Sequence, residues 1–174
     1  MKKLLLLFAS LFVLSLGSYS QTVMKTGKVC SKSRKENCNS PHTTYYLKSI
    51  IVYDDNMNPN YTFSLLVQNS EYSCLESLFS LKSGSAQEIY DLIVRIEDFG
   101  NKISEHSVSM IYDDYKFTRF NWGILGKRIC VEKTGESEYH NFKDKDLVRI
   151  KNKLVKYCQK RNIELQVIES TPLD

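Results

Sequence analysis

Ser85-Ala86-Gln87-Glu88-Ile89-Tyr90-Asp91-Leu92-Ile93-Val94-Arg95-Ile96-Glu97-Asp98-Phe99-Gly100-Asn101 is the stretch on which the fold class turns. Ile89, Leu92, Ile93 and Ile96 recur at the i, i+3, i+4, i+7 spacing of one helix face, leaving Glu88, Asp91, Arg95 and Asp98 for water. Ser85 followed three residues later by Glu88 has the form of a capping box, in which each residue satisfies a backbone N–H that the first helical turn leaves open. Gly100 and Asn101 supply a stop signal. The spacing predicts a helix over 85–97.

A second helix is expected over 143–161. Leu147, Ile150, Leu154, Tyr157 and Cys158 form its apolar stripe. Asp144 and Asp146 stand near its positive end, and Lys160 and Arg161 near its negative end, the favourable order for a helix dipole.

Between and before these helices the chain reads as strands. Thr43 to Tyr53 and Tyr61 to Gln68 are rich in β-branched and aromatic residues, and the turn-forming segment Asp54 to Asn60 separates them as in an antiparallel hairpin. Val108 to Tyr112, Lys116 to Asn121 and Lys127 to Glu132 alternate in the manner of half-buried strands, the last two pairing as a hairpin. A short final strand is expected at Ile163 to Ile168, and one or two helical turns at Cys74 to Leu81. Neighbouring strands joined by turns, with helices added after them, define an α+β fold: a mainly antiparallel sheet with two amphipathic helices packed on one face.

The chain opens with Lys2 and Lys3, then an apolar run from Leu4 to Leu16 that polar residues close at Gly17 to Gln21. That run is too short for a membrane span and has the layout of a secretion signal cut between Ser20 and Gln21. The organisation expected is a signal peptide over 1–20, a polar N-terminal arm over 21–41, a single α+β domain over 42–170 and a tail over 171–174. Export to a periplasm or to the medium follows, with no transmembrane segment in the mature chain.

A formal net charge of +4 falls by two with the signal peptide, which gives little attraction for nucleic acid. In an oxidising compartment the five cysteines would pair. The pairs expected are Cys30 with Cys38 and Cys130 with Cys158, leaving Cys74 as the spare.

Tyr53-Asp54-Asp55 and Tyr112-Asp113-Asp114 offer paired carboxylates, which either bind a cation, divide acid and base roles, or cap the turns in which they stand. His42, His106 and His140 are scattered and lack metal-ligand spacing. No catalytic or cofactor-binding residue is assigned, no cofactor is expected, and the metal question is left open. Lys143, Lys145, Arg149, Lys151, Lys153, Lys156, Lys160 and Arg161 concentrate basic charge on the last helix without all sharing one face.

The function expected is a non-catalytic binding or accessory domain outside the cytoplasm, its partner a protein or a carbohydrate. Two alternatives stand beside it. One is a small hydrolase using Asp54 or Asp113 with a histidine, with or without a metal, and the other is a structural or inhibitory partner protein.

Overall fold

The computed structural model describes residues 24–34, 42–70, 78–102, 108–121 and 127–168. Among the described residues, eight strands and two helices follow in the order β1 (Met24–Arg34), β2 (His42–Tyr53), β3 (Pro59–Gln68), β4 (Leu78–Gly84), α1 (Ala86–Lys102), β5 (Ser109–Tyr112), β6 (Tyr115–Asn121), β7 (Lys127–Lys133), β8 (Tyr139–Phe142) and α2 (Asp144–Arg161). The strands form two four-stranded antiparallel sheets, each a meander in chain order, β1-β2-β3-β4 and β5-β6-β7-β8. Among the described residues each meander is followed by a helix, so the order ββββα occurs twice.

Alternation decides which face of each strand is buried. In the first sheet Tyr45, Leu47, Ser49 and Ile51 of β2 and Phe63, Leu65 and Val67 of β3 point to the helices. In the second, Tyr115 and Phe117 of β6, Ile129 and Val131 of β7, and His140 and Phe142 of β8 do the same. Apart from Ser49, Ile51 and His140, these join a single core with Ile89, Leu92, Ile93, Ile96 and Phe99 of α1 and Leu147, Ile150, Leu154 and Cys158 of α2. Each large side chain buried there contributes roughly 1.5–3 kcal/mol.

The helices pack on one another; α1 also touches β3, β4, β6 and β7, while α2 touches β1 and β7. The two sheets are tied directly as well. The Tyr115 hydroxyl donates to the Leu81 carbonyl at 2.8 Å, and the Asn141 N–H donates to the Ser70 hydroxyl at 3.0 Å.

The capping box forms as the sequence implies. The Ser85 hydroxyl accepts from the Glu88 N–H at 3.2 Å, and the Ser85 N–H donates to the Glu88 carboxylate at 2.7 Å. That backbone bond holds the Glu88 carboxyl below the usual range. At the end of α2, Asn162 adopts a left-handed φ of 53°, and the Ile163 N–H closes back on the Cys158 carbonyl at 3.0 Å.

Several expectations are corrected. The first helix runs through Gly100 and Asn101 to Lys102. Gly100 is buried, and a Cβ there would collide with the end of the Ile129 side chain, so this glycine serves close helix-to-sheet packing rather than termination. Met24–Arg34, read as part of an irregular arm, is β1, because its backbone pairs with β2 along nearly its whole length, across two register shifts. Leu78–Gly84 is the strand β4.

Residues 163–168 form no strand. Their backbone is held by side chains of α1: the Gln87 amide donates to the Gln166 carbonyl at 3.2 Å and accepts from its N–H at 2.9 Å, while the Tyr90 hydroxyl donates to the Ile168 carbonyl at 3.3 Å.

The disulfide expectation is overturned. Cys30, Cys130 and Cys158 are free thiols. Cys130 alternates with the buried Ile129 and Val131 and so faces away from the core in which Cys158 lies, which places their sulfurs on opposite sides of β7. Cys30 is itself buried against that core. Cys38 and Cys74 lie outside the described residues, as do residues 1–20 and 171–174. No helix among the described residues is long and apolar enough to cross a membrane.

Candidate functional site

α2 carries its basic residues in a definite order. At about 100° per residue, Lys145, Arg149, Lys153, Lys156 and Lys160 fall within an arc of about 80°, on the side opposite Leu147, Ile150 and Leu154. All five are exposed. Among the described residues none of them forms an ion pair, and the acids of α2, Asp144 and Asp146, stand outside the arc.

The other basic residues of this segment have different duties. Lys151 pairs with Glu97 across the contact between the helices. The Arg161 guanidinium lies over the Tyr157 ring at 3.9 Å. Lys143 is the N-cap residue.

The row runs beside β1. Burial pushes the Cys30 thiol of β1 up to about 11, against the opposing positive charges of Arg149, Lys153 and Lys28. β1 is anchored to α2 by Lys32, whose ammonium donates to both carboxylate oxygens of Asp146 at 2.7 Å. A second anchor is Tyr157, whose hydroxyl bonds the Ser49 hydroxyl at 2.5 Å and whose ring meets Phe63 edge-on at 5.8 Å. The basic face is therefore presented on a helix fixed at two points.

Asp54 is occupied by its own turn. Its carboxylate accepts from the backbone N–H of Asn58 at 2.7 Å and of Asn56 at 2.9 Å, and the first of these bonds leads in lowering its pKa. Asp113 stands in the β5–β6 turn with a left-handed φ of 53°. The two Tyr-Asp-Asp triplets thus occupy non-equivalent turns, β2–β3 and β5–β6.

His140 is buried, and its Nδ1 bonds the Gln68 carbonyl at 2.7 Å. A carbonyl only accepts, so Nδ1 carries the proton; burial lowers the pKa to about 4 and keeps the ring neutral. Gln68 ends β3, whereas Asp54 precedes its start, so the two groups are separated by the length of that strand, about 30 Å. The side chain of His42 and all of His106 lie outside the described residues. Among the described residues no group of three or more His, Cys, Asp or Glu side chains could hold a metal ion.

No family model, curated protein or solved structure matches the chain.

Two open grooves border α1. One of about 440 Å³ lies between α1 and the 163–168 segment, lined by Gln87, Asp91, Val94, Arg95, Asp98, Gln166 and Ile168. The other, of about 230 Å³, shares Asp91 and Arg95 and reaches Asp113 and Tyr112, over whose ring Arg95 stacks at 3.9 Å. Asp113 lines the second groove together with Arg95 and Lys82, and no histidine lines either groove. The concentration of basic charge was legible in the sequence; its sorting into one accessible row emerges only once Lys151 and Arg161 are seen to be engaged.

Proposed function

We propose that the chain is an exported, non-catalytic binding domain that holds an acidic partner, a protein or a carbohydrate, on the basic face of α2. The observation that carries this is the row Lys145, Arg149, Lys153, Lys156 and Lys160, exposed and without an ion pair among the described residues. Like charges set side by side repel one another, so the row is stabilised when an anion joins it. Export is supported by Lys2-Lys3 and the short apolar run behind them.

Calorimetric titration of the purified chain with polyglutamate and with polygalacturonate, at low and at physiological salt, tests the proposal. Binding that weakens with salt and is lost in the variant Arg149→Glu with Lys153→Glu, at unchanged circular dichroism, is the expected result. Equal binding by that variant, or no binding of either polymer, overturns it.

A further inference from the structure

We infer that the basic face of α2 binds a linear acidic polysaccharide, its anionic groups lying along the cation row and its hydroxyls meeting Asn152 and Gln159. This rests on α2 being the recognition face and names the ligand that face takes.

The row is regular along the helix axis, within its arc of about 80°. Its members are four, four, three and four residues apart, which at 1.5 Å per residue gives steps of about 6, 6, 4.5 and 6 Å and a length of about 22 Å. A polymer bearing one carboxylate or sulfate on each sugar presents charges at a comparable repeat. Several consecutive sugars can therefore lie along the helix with each anionic group near a cation.

Asn152 and Gln159 stand two turns apart on one flank of the row, both exposed. No hydrogen bond among the described residues engages either side chain. Each amide offers two donors and an acceptor, the complement of a sugar hydroxyl, which both gives and takes a proton.

Other polyanions fit less well. A protein interface centres on buried aromatic or aliphatic anchors, and this face offers only Val148 at its border, 40% exposed. Single-stranded nucleic acid is held by aromatic stacking, yet the one tyrosine of α2, Tyr157, is turned inward to Ser49 and Phe63. A helix lying in a membrane surface spends its apolar side on the lipid, whereas Leu147, Ile150 and Leu154 of α2 are buried in the core.

The test compares polygalacturonate oligomers with polyglutamate, a single-stranded oligonucleotide of equal charge and anionic phosphatidylglycerol vesicles, with dextran as the neutral control. Two variants are used, Arg149→Glu with Lys153→Glu, and Asn152→Ala with Gln159→Ala. The oligouronate is expected to bind at least about tenfold more tightly than the other anions. The charge variant is expected to lose about tenfold or more of that affinity, and the amide variant several-fold for the oligouronate alone.

If polyglutamate or the oligonucleotide binds as tightly, or the amide variant behaves as the parent, the glycan inference falls while α2 remains the recognition face. A preference for the vesicles overturns it in favour of a membrane surface. If the charge variant binds the oligouronate as the parent does, both this inference and the function it deepens fail.

Discussion

Lys32 of β1 donates to both carboxylate oxygens of Asp146 in the first turn of α2, at 2.7 Å each, and Asp146 is the more buried partner, its side chain 8% exposed against 22%. The bond joins β1, an edge strand of the first sheet, to the helix that bears the basic row. Removing one partner leaves an uncompensated charge, and the cost follows how deeply that charge sits. Lys32→Ala is expected to destabilise the chain by about 3–5 kcal/mol, and Asp146→Ala by less. The double replacement Lys32→Met with Asp146→Leu should recover most of the loss. Urea unfolding at neutral pH checks all three; an equal cost for the two alanine variants would contradict the difference in burial.

How much of this was legible follows from the range of the interactions. The two helices and the two hairpins β2–β3 and β6–β7 were legible because their signals are local: apolar periodicity, the Ser85–Glu88 cap, and turn residues between β-branched runs. β1 was hidden because Lys25, Lys28 and Lys32 make it polar, and only its long pairing with β2 makes it a strand. Gly100 read as a helix stop because nothing near it in sequence reveals Ile129 lying against it. The cysteines misled for a related reason: their pairing was inferred from compartment and count, while the geometry that forbids a Cys130–Cys158 bridge depends on which side of β7 the core lies. In the candidate site, residue types and the helical spacing of the row were visible, but the pairing that takes Lys151 out of the basic set depended on the distant partner Glu97.

A close approach at Gly27 gives a second expectation. A Cβ at this position would stand 2.6 Å from the Ser49 hydroxyl oxygen and 3.0 Å from that of Tyr157. Gly27→Ala is expected to part these hydroxyls and to cost about 1–3 kcal/mol. Ser49→Ala removes the nearer obstacle, so the double variant should lose less than the two single losses combined, as a double-mutant cycle by thermal unfolding would show.

The free thiols give a third. Burial raises the pKa of Cys158, and raises those of Cys30 and Cys130 to about 11, so at neutral pH all three are protonated and poor nucleophiles. Alkylation of the native chain at pH 7 followed by peptide mass spectrometry is expected to leave Cys30 and Cys158 unlabelled, and Cys130, the most accessible of the three, labelled slowly. After unfolding in urea without reductant, all three should label completely. A cross-linked peptide containing Cys130 and Cys158 would show that the arrangement of β7 against α2 is different.

Acid sensitivity should centre on His140. Its ring is enclosed, its Nδ1–H is given to the Gln68 carbonyl, and burial lowers its pKa from 6.5 to about 4, with Asp146 raising it and Lys32 lowering it from the facing elements. Between those two values the unfolded chain binds a proton that the folded chain refuses, so stability rises with pH across the window and is lost as pH falls from about 6.5 towards about 4. At about 1.4 kcal/mol per pH unit, the loss reaches on the order of 3 kcal/mol and then levels off below the folded value. The Glu88 and Asp54 carboxyls, whose pKa values are lowered in the fold, add their own loss at lower pH, as each becomes protonated. Replacing His140 by Gln keeps a hydrogen-bond donor without the titration. Unfolding free energies measured from pH 4 to 7 are therefore expected to slope steeply in the parent and to flatten in His140→Gln above pH 5, where the carboxylates contribute little. Equal slopes in the two chains would mean that the imidazole titrates as it does in water, and that the joint between β3 and β8 is open to solvent.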